Sequence, residues 1–248
     1  MQRKTHGLII KEQTIGESDR LITILTRDAG VIRAFARKAK HLNDSKNAAT
    51  QLLCYSRLNI YEGREKYIIN DAFPLEVFFD LRTNITKLAL AQYFCELAAE
   101  LAPEGVDSSE LLRVVLNAIH FLCNGKKTEA MLKAIVEMRM MSFAGYMPNL
   151  LGCEHCGVYE APHMHFKINK GRMYCDDCYI ETDDEPCVSM GSAAVKALRH
   201  IALSDFDKLF AFQLSENASR ELSRACEAYT LSVVQRRLQT LDFYDAIR

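Results

Sequence analysis

Four cysteines in the middle of the chain form two Cys-x2-Cys pairs, and their spacing constrains the fold more than any other feature. The pairs are Cys153 with Cys156 and Cys175 with Cys178, and 18 residues separate them. Two residues between ligands allow a tight turn to direct both sulfurs at one ion, and a tetrahedral zinc ion needs two such turns. The spacing therefore predicts one zinc ion per chain, held in a finger at about residues 150–187.

The predicted ion is structural, because four protein ligands leave no position for water or substrate. Such sites have apparent binding free energies on the order of 10 kcal/mol, which can order a segment that lacks its own core. Other candidate ligands nearby are His155, His163, His165 and Cys187, of which Cys187 is the best substitute. Four unrelated core cysteines, or a redox pair, are the other readings. The second pair and the lack of a βαβ pattern disfavour a redox role.

The remaining cysteines indicate a reducing compartment. There are nine in total, and no export signal accompanies them, so thiols and metal ligands are expected rather than disulfides. Four of them lie among apolar neighbours and are predicted to be core residues: Cys54, Cys95, Cys123 and Cys226. No apolar run reaches the roughly 18 residues that cross a bilayer. We therefore expect a cytoplasmic protein without a membrane partner.

Length and charge predict two domains. The chain has 248 residues, 49% of them hydrophobic and 25% charged, as expected of a globular protein with a real core. Residues 1–70 carry 13 Lys and Arg against 7 Asp and Glu, whereas the remainder carries 18 against 25. A basic first domain at residues 1–80 and an acidic second domain at 81–248 are predicted.

Short segments rich in β-branched and aromatic residues dominate the first domain. Five strands are expected, near residues 8–14, 21–26, 31–35, 51–61 and 66–72, with a hairpin turn at Asp28-Ala29-Gly30. After Pro74 the spacing becomes helical, with helices predicted around residues 88–98, from Asp107 or Ser108 to 125, and over 128–145, 192–203 and 215–238. The fold class is therefore α+β and multidomain, with a small OB-type barrel before a helical domain that contains the finger.

A cluster of cations in the first domain suggests phosphate binding. Its members are Arg20, Arg33, Arg37, Lys38, Lys40 and Arg57, with Arg27 and Lys46 nearby. A nucleic-acid groove also needs aromatic faces for bases, and the candidates are Phe35, Tyr55, Tyr61 and Tyr67. From the residues alone, a solvated face above core aromatics explains the pattern equally well.

No common catalytic motif is present: the chain has no phosphate loop, no nucleophile elbow and no zinc-protease helix. The acidic run at residues 183–185 is one sequential stretch and is read as a solvated loop. No enzyme activity is therefore predicted. Two rival hypotheses remain: a magnesium-dependent nuclease in which the cysteine site is architectural, and a zinc-ribbon protein adaptor that does not touch DNA.

Several short stretches match one known family in their order. They are Gly-Glu-Ser-Asp-Arg-Leu at residues 16–21 with Thr26 and Gly30, Ala-Arg-Lys-Ala-Lys at 36–40, Gly-Tyr-Met-Pro at 145–148, and a helical end near 238–241. With the two cysteine pairs, they resemble the bacterial recombination mediator and DNA repair protein family RecO over essentially the whole chain.

The resemblance implies an N-terminal OB-fold, a helical domain with an inserted zinc finger, and a non-enzymatic activity. RecO-like proteins bind single- and double-stranded DNA, anneal complementary strands, cooperate with RecR, and help to load RecA onto strands coated by single-stranded DNA-binding protein (SSB). They recognise the acidic, apolar C-terminal tail of SSB through the helical domain, although no motif in this chain places that pocket. Such a protein would be cytoplasmic and associated with the nucleoid.

One departure concerns the basic segment, which in many relatives reads closer to Lys-Gly-Ala-Arg-Arg. Residues 36–40 of this chain keep the positive charge but lack the glycine. The expected turn at this position is therefore open to question. Some relatives also lack the cysteines, so the metal is a property of this branch of the family rather than of its function.

Overall fold

Strands occupy most of the first 77 residues, where β-branched and aromatic residues alternate with polar ones. The structure, a computed structural model, describes residues 1–39, 46–64, 66–181 and 185–248. The strands are β1 (Gln2–Ile15), β2 (Asp19–Thr26), β3 (Val31–Ala36), β4 (Cys54–Glu62) and β5 (Tyr67–Val77), with a helical turn, α1 (Lys46–Ala49), before β4. They close into a barrel in the order β1-β2-β3-β5-β4. Only the β3–β5 pairing among these is parallel.

The barrel has its own apolar interior, because every second residue of its strands points inward. Alanines alternate with larger branched side chains there, and together they pack in the narrow lumen. The buried cluster comprises Ile9, Ile22, Ile24, Ala29, Ile32, Ala34, Ala36, Ala39, Ala49, Cys54, Leu58, Ile60, Ile69 and Ala72.

The predicted hairpin turn between β2 and β3 is confirmed, and it requires glycine. Gly30 has a φ of +63°, and a Cβ atom there would lie 1.9 Å from the carbonyl oxygen of Pro103. The backbone amide and the hydroxyl of Thr26 both donate to the Gly30 carbonyl, at 2.8 and 2.7 Å. A side chain at residue 30 would therefore disturb both the turn and the segment that packs on it.

Three helices complete the first compact unit, which contains residues 1–126 and 238–248. They are α2 (Ile85–Leu101), α3 (Ser109–Asn124) and α7 (Gln239–Ile247), with a 3-10 turn at Phe79–Thr83. Helix α3 begins after Ser108 and ends at Gly125, which adopts a left-handed conformation, so both predicted ends are confirmed.

The last helix is attached to α2 at its N-terminus. The Glu96 carboxylate accepts the backbone amides of Gln239 and Thr240, at 3.3 and 2.9 Å, and also the Thr240 hydroxyl. A carboxylate at a helix N-terminus satisfies free amide groups and opposes the helix dipole. The final residues of the chain are thereby part of the first unit.

Residues 127–237 form the second compact unit. A four-stranded sheet and three helices make up this unit, and the strand order in the sheet is β6-β8-β7-β9. The elements are α4 (Glu129–Phe143), β6 (Asn149–Cys153), β7 (His163–Lys167), β8 (Arg172–Cys175), β9 (Cys187–Gly191), α5 (Ser192–Leu203) and α6 (Glu216–Val234), with a 3-10 turn at Phe206–Lys208.

A charged group lies inside the helical part of this unit. Lys133 of α4 is fully buried, and its Nζ lies 2.6 Å from Glu137 and 2.7 Å from Glu227 of α6. Burial acts to lower the pKa of Lys133, but the two carboxylates outweigh it and raise the pKa above its usual value. This lysine therefore stays charged at neutral pH and joins α4 to α6.

The predicted fold class is confirmed: a β-barrel precedes a largely helical region into which a cysteine-bearing finger is inserted. The domain boundary at residues 80 and 81 stays a prediction. Among the described residues, no helix combines the length and the apolar character that crossing a membrane requires.

Candidate metal centre and nucleic-acid interface

Two neighbouring parallel strands bring the cysteine pairs together. Strands β6 and β8 pair in parallel, with Cys153 opposite Met173, and each strand ends at the first cysteine of a pair. Parallel strands that end side by side place the turns that follow them at one edge of the sheet. Cys156 and Cys178 lie in these turns, so all four sulfurs meet there.

The geometry of the cluster fits a tetrahedral ion. The four sulfurs all lie within 4.8 Å of one another, and Cys156 Sγ is 3.7 Å from Cys175 Sγ. Zinc–sulfur bonds of about 2.3 Å in a tetrahedron require sulfurs about 3.8 Å apart. The four cysteines are therefore close enough together to hold one metal ion.

Backbone hydrogen bonds form the first metal turn. Cys153 donates its amide to Val158 O, and Gly157 donates its amide to Cys153 O, both at 2.9 Å. Gly157 has a φ of +75°, and a Cβ atom on Gly152 would lie 2.9 Å from the Gly157 carbonyl oxygen. Gly152 is thus required by the close approach of these backbone segments, and Gly157 by its left-handed conformation.

The thiols of the cluster do not ionise independently. Burial acts to raise the pKa of Cys153, but amides of Cys156, Cys175 and His155 point at its sulfur and bring the pKa to about 6. Burial and sulfur contacts raise the pKa of Cys178 to about 12, and burial first raises that of Cys175. A single thiolate thus forms readily, whereas four adjacent thiolates need a cation to balance their charge.

The other candidate ligands are engaged elsewhere or lie at the edge of the cluster. His165 stacks on Tyr179 at 4.0 Å and bonds Asp176 at 2.7 Å, and His163 lies 3.7 Å from the same carboxylate. His155 Nδ1 is 3.6 Å from Cys178 Sγ, in the surroundings of the sulfurs. The metal-binding group found among the described residues comprises the four predicted cysteines.

Three of the four cysteines that were predicted to be core residues are buried. Cys54, Cys95 and Cys226 are buried as expected, whereas Cys123 is partly exposed because it lies in the last turn of α3.

In the acidic run, residues 183 and 184 lie outside the described residues. Glu185 is paired with Lys167 at 3.0 Å and Lys170 at 3.2 Å, so this carboxylate forms ion pairs within the finger.

One row of side chains crosses three strands on the outside of the barrel. Thr23 of β2 lies opposite Lys11 of β1 on one side and opposite Arg33 of β3 on the other. Directly opposed residues point to the same face of a sheet, and Lys11 and Arg33 are both exposed. The next row contains Leu21 and Phe35, which is half-buried. We call Lys11, Arg33, Phe35, Arg37 and Lys38 the basic face.

The end of β3 continues this basic face through a tight turn. Arg37 and Lys38 are exposed, and Lys38 has a φ of +55°, a left-handed conformation uncommon for a side-chain-bearing residue. The amide of Lys38 donates to Asp19 Oδ1 at 2.8 Å, and this bond is the first cause of the lowered pKa of Asp19. The turn therefore persists without the glycine, because Asp19 holds it.

Arg20, one of the predicted DNA-binding cations, is hydrogen-bonded to another part of the barrel unit. Its Nη1 donates to the carbonyl oxygen of Asn47 at 2.8 Å and to the hydroxyl of Thr50 at 3.0 Å. The side chain is partly buried and fixes the segment around α1 against β2. Asp19 and Arg20, neighbours in the sequence, thus hold two points of the connection that follows β3.

The remaining predicted cations are not joined to the basic face by the structure. Arg57 lies on β4, which is not a neighbour of β3 in the barrel, and its guanidinium is 5.0 Å from the ring centre of Phe73. Lys40 lies outside the described residues. The sequence missed Lys11, because a shift in register between Ile9 and Lys11 decides which face it joins.

The predicted aromatic residues also separate. Phe35 is on the basic face, whereas Tyr67 packs against the barrel core. Tyr55 and Tyr61 are on β4, away from β3, and Tyr55 meets the His6 ring edge-on with centres 6.2 Å apart. One aromatic ring therefore accompanies the cations of the basic face.

Comparison with known proteins covers nearly the whole chain. Residues 1–78 match the family model of the Recombination protein O N terminal, and residues 82–242 match that of the Recombination protein O C terminal. The DNA repair protein RecO of Acetivibrio thermocellus is 31% identical over 97% of this chain and 95% of its own length. Those of Symbiobacterium thermophilum and Dehalococcoides mccartyi are 27% and 28% identical over 98% and 99% of this chain, and each is covered over 96% of its length.

The first family model ends at residue 78 and the second begins at residue 82, close to the boundary between the barrel strands and the helices. The relatives are matched over 95–96% of their length. The barrel with its basic face and the helical unit with its cysteine cluster are thus covered together by one kind of protein. This chain belongs to the RecO family of DNA repair and recombination proteins.

Proposed function

We propose that this protein binds single- and double-stranded DNA through the basic face of its barrel and anneals complementary strands. The observation that carries the proposal is the exposed row of Lys11 and Arg33, extended by the turn of Arg37 and Lys38. Strands in a sheet lie about 4.8 Å apart, so these cations follow a path suited to successive phosphates. Phe35 beside them offers a ring for a base.

Neutralisation of DNA phosphates by the basic face would also explain the annealing of complementary strands. Two complementary strands repel each other through their backbones, and a surface that releases counterions from one strand lowers that repulsion. Packed side chains fill the barrel interior, which leaves the outer faces for DNA. The proposed activity requires no bond to be made or broken, so the protein acts as a mediator rather than an enzyme.

We further propose that the four cysteines hold one structural zinc ion. Sulfur separations near the tetrahedral value and four thiolate ligands favour zinc over the hard cations calcium and magnesium, which take oxygen ligands. Zinc would supply the positive charge that four adjacent thiolates need. Metal analysis of the reduced protein should find about one zinc per chain, and a content near zero would contradict the proposal.

The proposed partners follow from family membership. With RecR, the protein would help to load RecA onto DNA coated by SSB, after recognising the acidic, apolar C-terminal tail of SSB. Pull-down with RecR, with SSB, and with SSB lacking its tail tests these interactions directly. Capture of tailless SSB equal to that of the whole protein would contradict the proposed mode of recognition.

Salt-dependent DNA titration tests the basic face. Four cations that each displace a counterion from single-stranded DNA give a logarithmic salt slope of about −3. Charge reversal of Arg33, Arg37 and Lys38 to Glu should reduce that slope by about 2 and abolish annealing. The matched control reverses three exposed cations of the second unit, Lys208, Arg220 and Arg224, which gives the same change in net charge. Equal losses in both variants would mean that only net charge matters.

A further inference from the structure

The second unit contains a buried arginine whose hydrogen-bonding groups are only partly used by the described residues. Arg199 of α5 is 4% exposed, and its Nε donates to the carbonyl oxygen of Leu150 at 2.7 Å. Its Nη1 and Nη2 are buried and have no hydrogen-bond partner among the described residues. Burying a cation without a counter-charge or hydrogen bonds is strongly unfavourable. This arrangement indicates that a ligand completes the site.

A cavity of about 340 Å³ lies beside Arg199. Tyr159, Lys196, Arg199, His200, Leu203 and Ser204 line it. The Ser204 hydroxyl is likewise buried without a partner among the described residues. His200 already uses its Nε2 at the carbonyl oxygen of Lys208, at 2.9 Å, whereas the Lys196 ammonium pairs with exposed Glu160 at 3.3 Å. The donors available to a ligand are therefore those of Arg199, Ser204 and Lys196.

These donors fit an oxyanion. A guanidinium group presents two parallel N–H donors to phosphate or carboxylate oxygens, and a hydroxyl and an ammonium add two more directions of contact. A water molecule would satisfy one or two N–H groups but would leave the buried charge unbalanced. An anion satisfies both requirements.

Tyr159 indicates which kind of anion fits. The Arg199 guanidinium carbon lies 3.9 Å from the centre of the Tyr159 ring, yet about half of this tyrosine, 52%, remains exposed. An exposed ring beside a cationic pocket offers both contacts that single strands use, one for a base and one for a phosphate. A peptide carboxylate would use the pocket but would not need the flat ring.

We propose that Arg199, Ser204 and Lys196 bind a backbone phosphate of single-stranded nucleic acid while an adjacent base stacks on Tyr159. This would be a second nucleic-acid contact, formed wholly within the second unit, and it rests on the DNA binding proposed above. Because Arg199 is joined to Leu150 of β6 and to the ring that follows the first metal turn, the contact would also depend on a folded finger.

Photo-crosslinking of the whole, metal-containing protein tests the inference. The probe is a single-stranded oligonucleotide of about 16 nucleotides, the upper site size of one OB-fold, with 5-iodouracil in place of thymine. Mass spectrometry should find crosslinks at Tyr159 as well as on the barrel. Lys196→Gln combined with Ser204→Ala should reduce the Tyr159 crosslink about tenfold and leave those on the barrel unchanged. Both substitutions preserve the bond from Arg199 to Leu150, so the finger should stay folded.

The control variant is Lys208→Gln, which removes an exposed lysine of the same unit outside the cavity and should leave every crosslink unchanged. Crosslinks on the barrel without one at Tyr159 would overturn the inference and leave the proposed function intact. A loss of all crosslinks together with salt-independent binding would overturn the proposed function as well.

Hydrogen exchange identifies the anion. The oligonucleotide should slow exchange across α5, from Ser192 to Ser204, more in the native protein than in the Lys196→Gln, Ser204→Ala variant. Slowing by an acidic, apolar peptide with a free C-terminus, and not by the oligonucleotide, would assign the cavity to a protein partner and contradict the proposal. Slowing by neither ligand would mean that the pocket holds only water, which also contradicts it.

Discussion

In the barrel, cations such as Arg33 and Lys38 are exposed, whereas in the second unit Lys133, Lys167 and Arg199 are buried. Two of the buried cations are committed to the fold, because Lys133 binds two carboxylates and Lys167 binds Glu185. Arg199 binds one carbonyl group and keeps two nitrogens without a partner among the described residues. The two units therefore differ in where their cations lie as well as in how many they have. A count of Lys and Arg in the sequence does not distinguish the exposed cations from the buried ones.

The same contrast applies to what stabilises each part. The barrel closes around a continuous apolar cluster, whereas the finger depends on residues that surround four sulfurs.

Removal of the metal should unfold the finger and spare the barrel. Structural zinc sites have apparent binding free energies on the order of 10 kcal/mol. After treatment with a strong chelator, hydrogen exchange should become fast from residue 149 to 191 and stay slow in β1 to β5. Substitution of Cys153 and Cys175 by Ser should have the same effect, and Cys54→Ser serves as a control for the loss of a thiol. Equal loss of protection in the barrel would show that it has no independent stability.

Replacement of a buried cation should cost far more than replacement of an exposed one. Lys133→Met leaves the buried Glu137 and the partly exposed Glu227 without their counter-charge and should lower the free energy of unfolding by about 3–5 kcal/mol. Arg33→Met should change it by less than about 0.5 kcal/mol. Denaturant titrations followed by circular dichroism measure both values.

Neutralising the carboxylates is the control for this pair. Adding Glu137→Gln and Glu227→Gln to Lys133→Met should restore most of the lost stability. Because the pKa of Lys133 is raised, its contribution is complete below the lysine pKa of the unfolded chain, about 10.4, and disappears only at higher pH. A loss that differs between pH 6 and pH 8 would contradict this assignment.

Asp19 should affect DNA binding although it is itself negative. Asp19→Ala removes the acceptor that holds the Lys38 amide, so Arg37 and Lys38 should lose their fixed position and DNA affinity should fall a few-fold. Asp19→Asn keeps an acceptor oxygen and should bind at least as well as the native protein. The lowered pKa of Asp19 means that its contribution is present above the usual value of 3.8 and is lost as the pH falls through the folded value. Equal binding by Asp19→Ala and Asp19→Asn, both tighter than that of the native protein, would show that the charge of Asp19, and not the turn, matters.

The smallest expected effect concerns the backbone at residue 38. Lys38→Gly should be more stable than Lys38→Ala by about 1 kcal/mol, because the left-handed conformation strains any residue with a Cβ atom. Both variants lose the same charge, so their DNA affinities should fall equally. Thermal unfolding and DNA titration of the two proteins measure these effects, and equal stabilities would mean that the turn relaxes.

Local patterns predicted much of this fold. Helix α5 spans Ser192–Leu203 as expected, and Ser215 and Thr128 cap α6 and α4, because capping residues and apolar spacing act within a few residues. The strands β6 to β9 were not predicted. They are short, and their pairing depends on contacts between residues far apart in sequence, which a local pattern does not contain.

The candidate site was predicted unevenly for the same reason. The four cysteines of the cluster are adjacent in pairs, so their spacing predicted that they come together. The basic face combines residues of β1 and β3 with the turn after β3, and the register that joins Lys11 to Arg33 through β2 is a property of strand pairing. The structural role of Arg20 likewise depends on a segment about 27 residues away, at Asn47.

The bond between Glu96 and the start of α7 has a consequence for synthesis. Residues 238–248 belong to the same compact unit as the barrel. This first unit therefore begins to emerge from the ribosome before the second unit but is completed after it. The entire segment 127–237 must be translated before α7 can dock on α2. A nascent chain stalled before residue 238 would therefore lack the helix that packs on α2 and leave that surface uncovered.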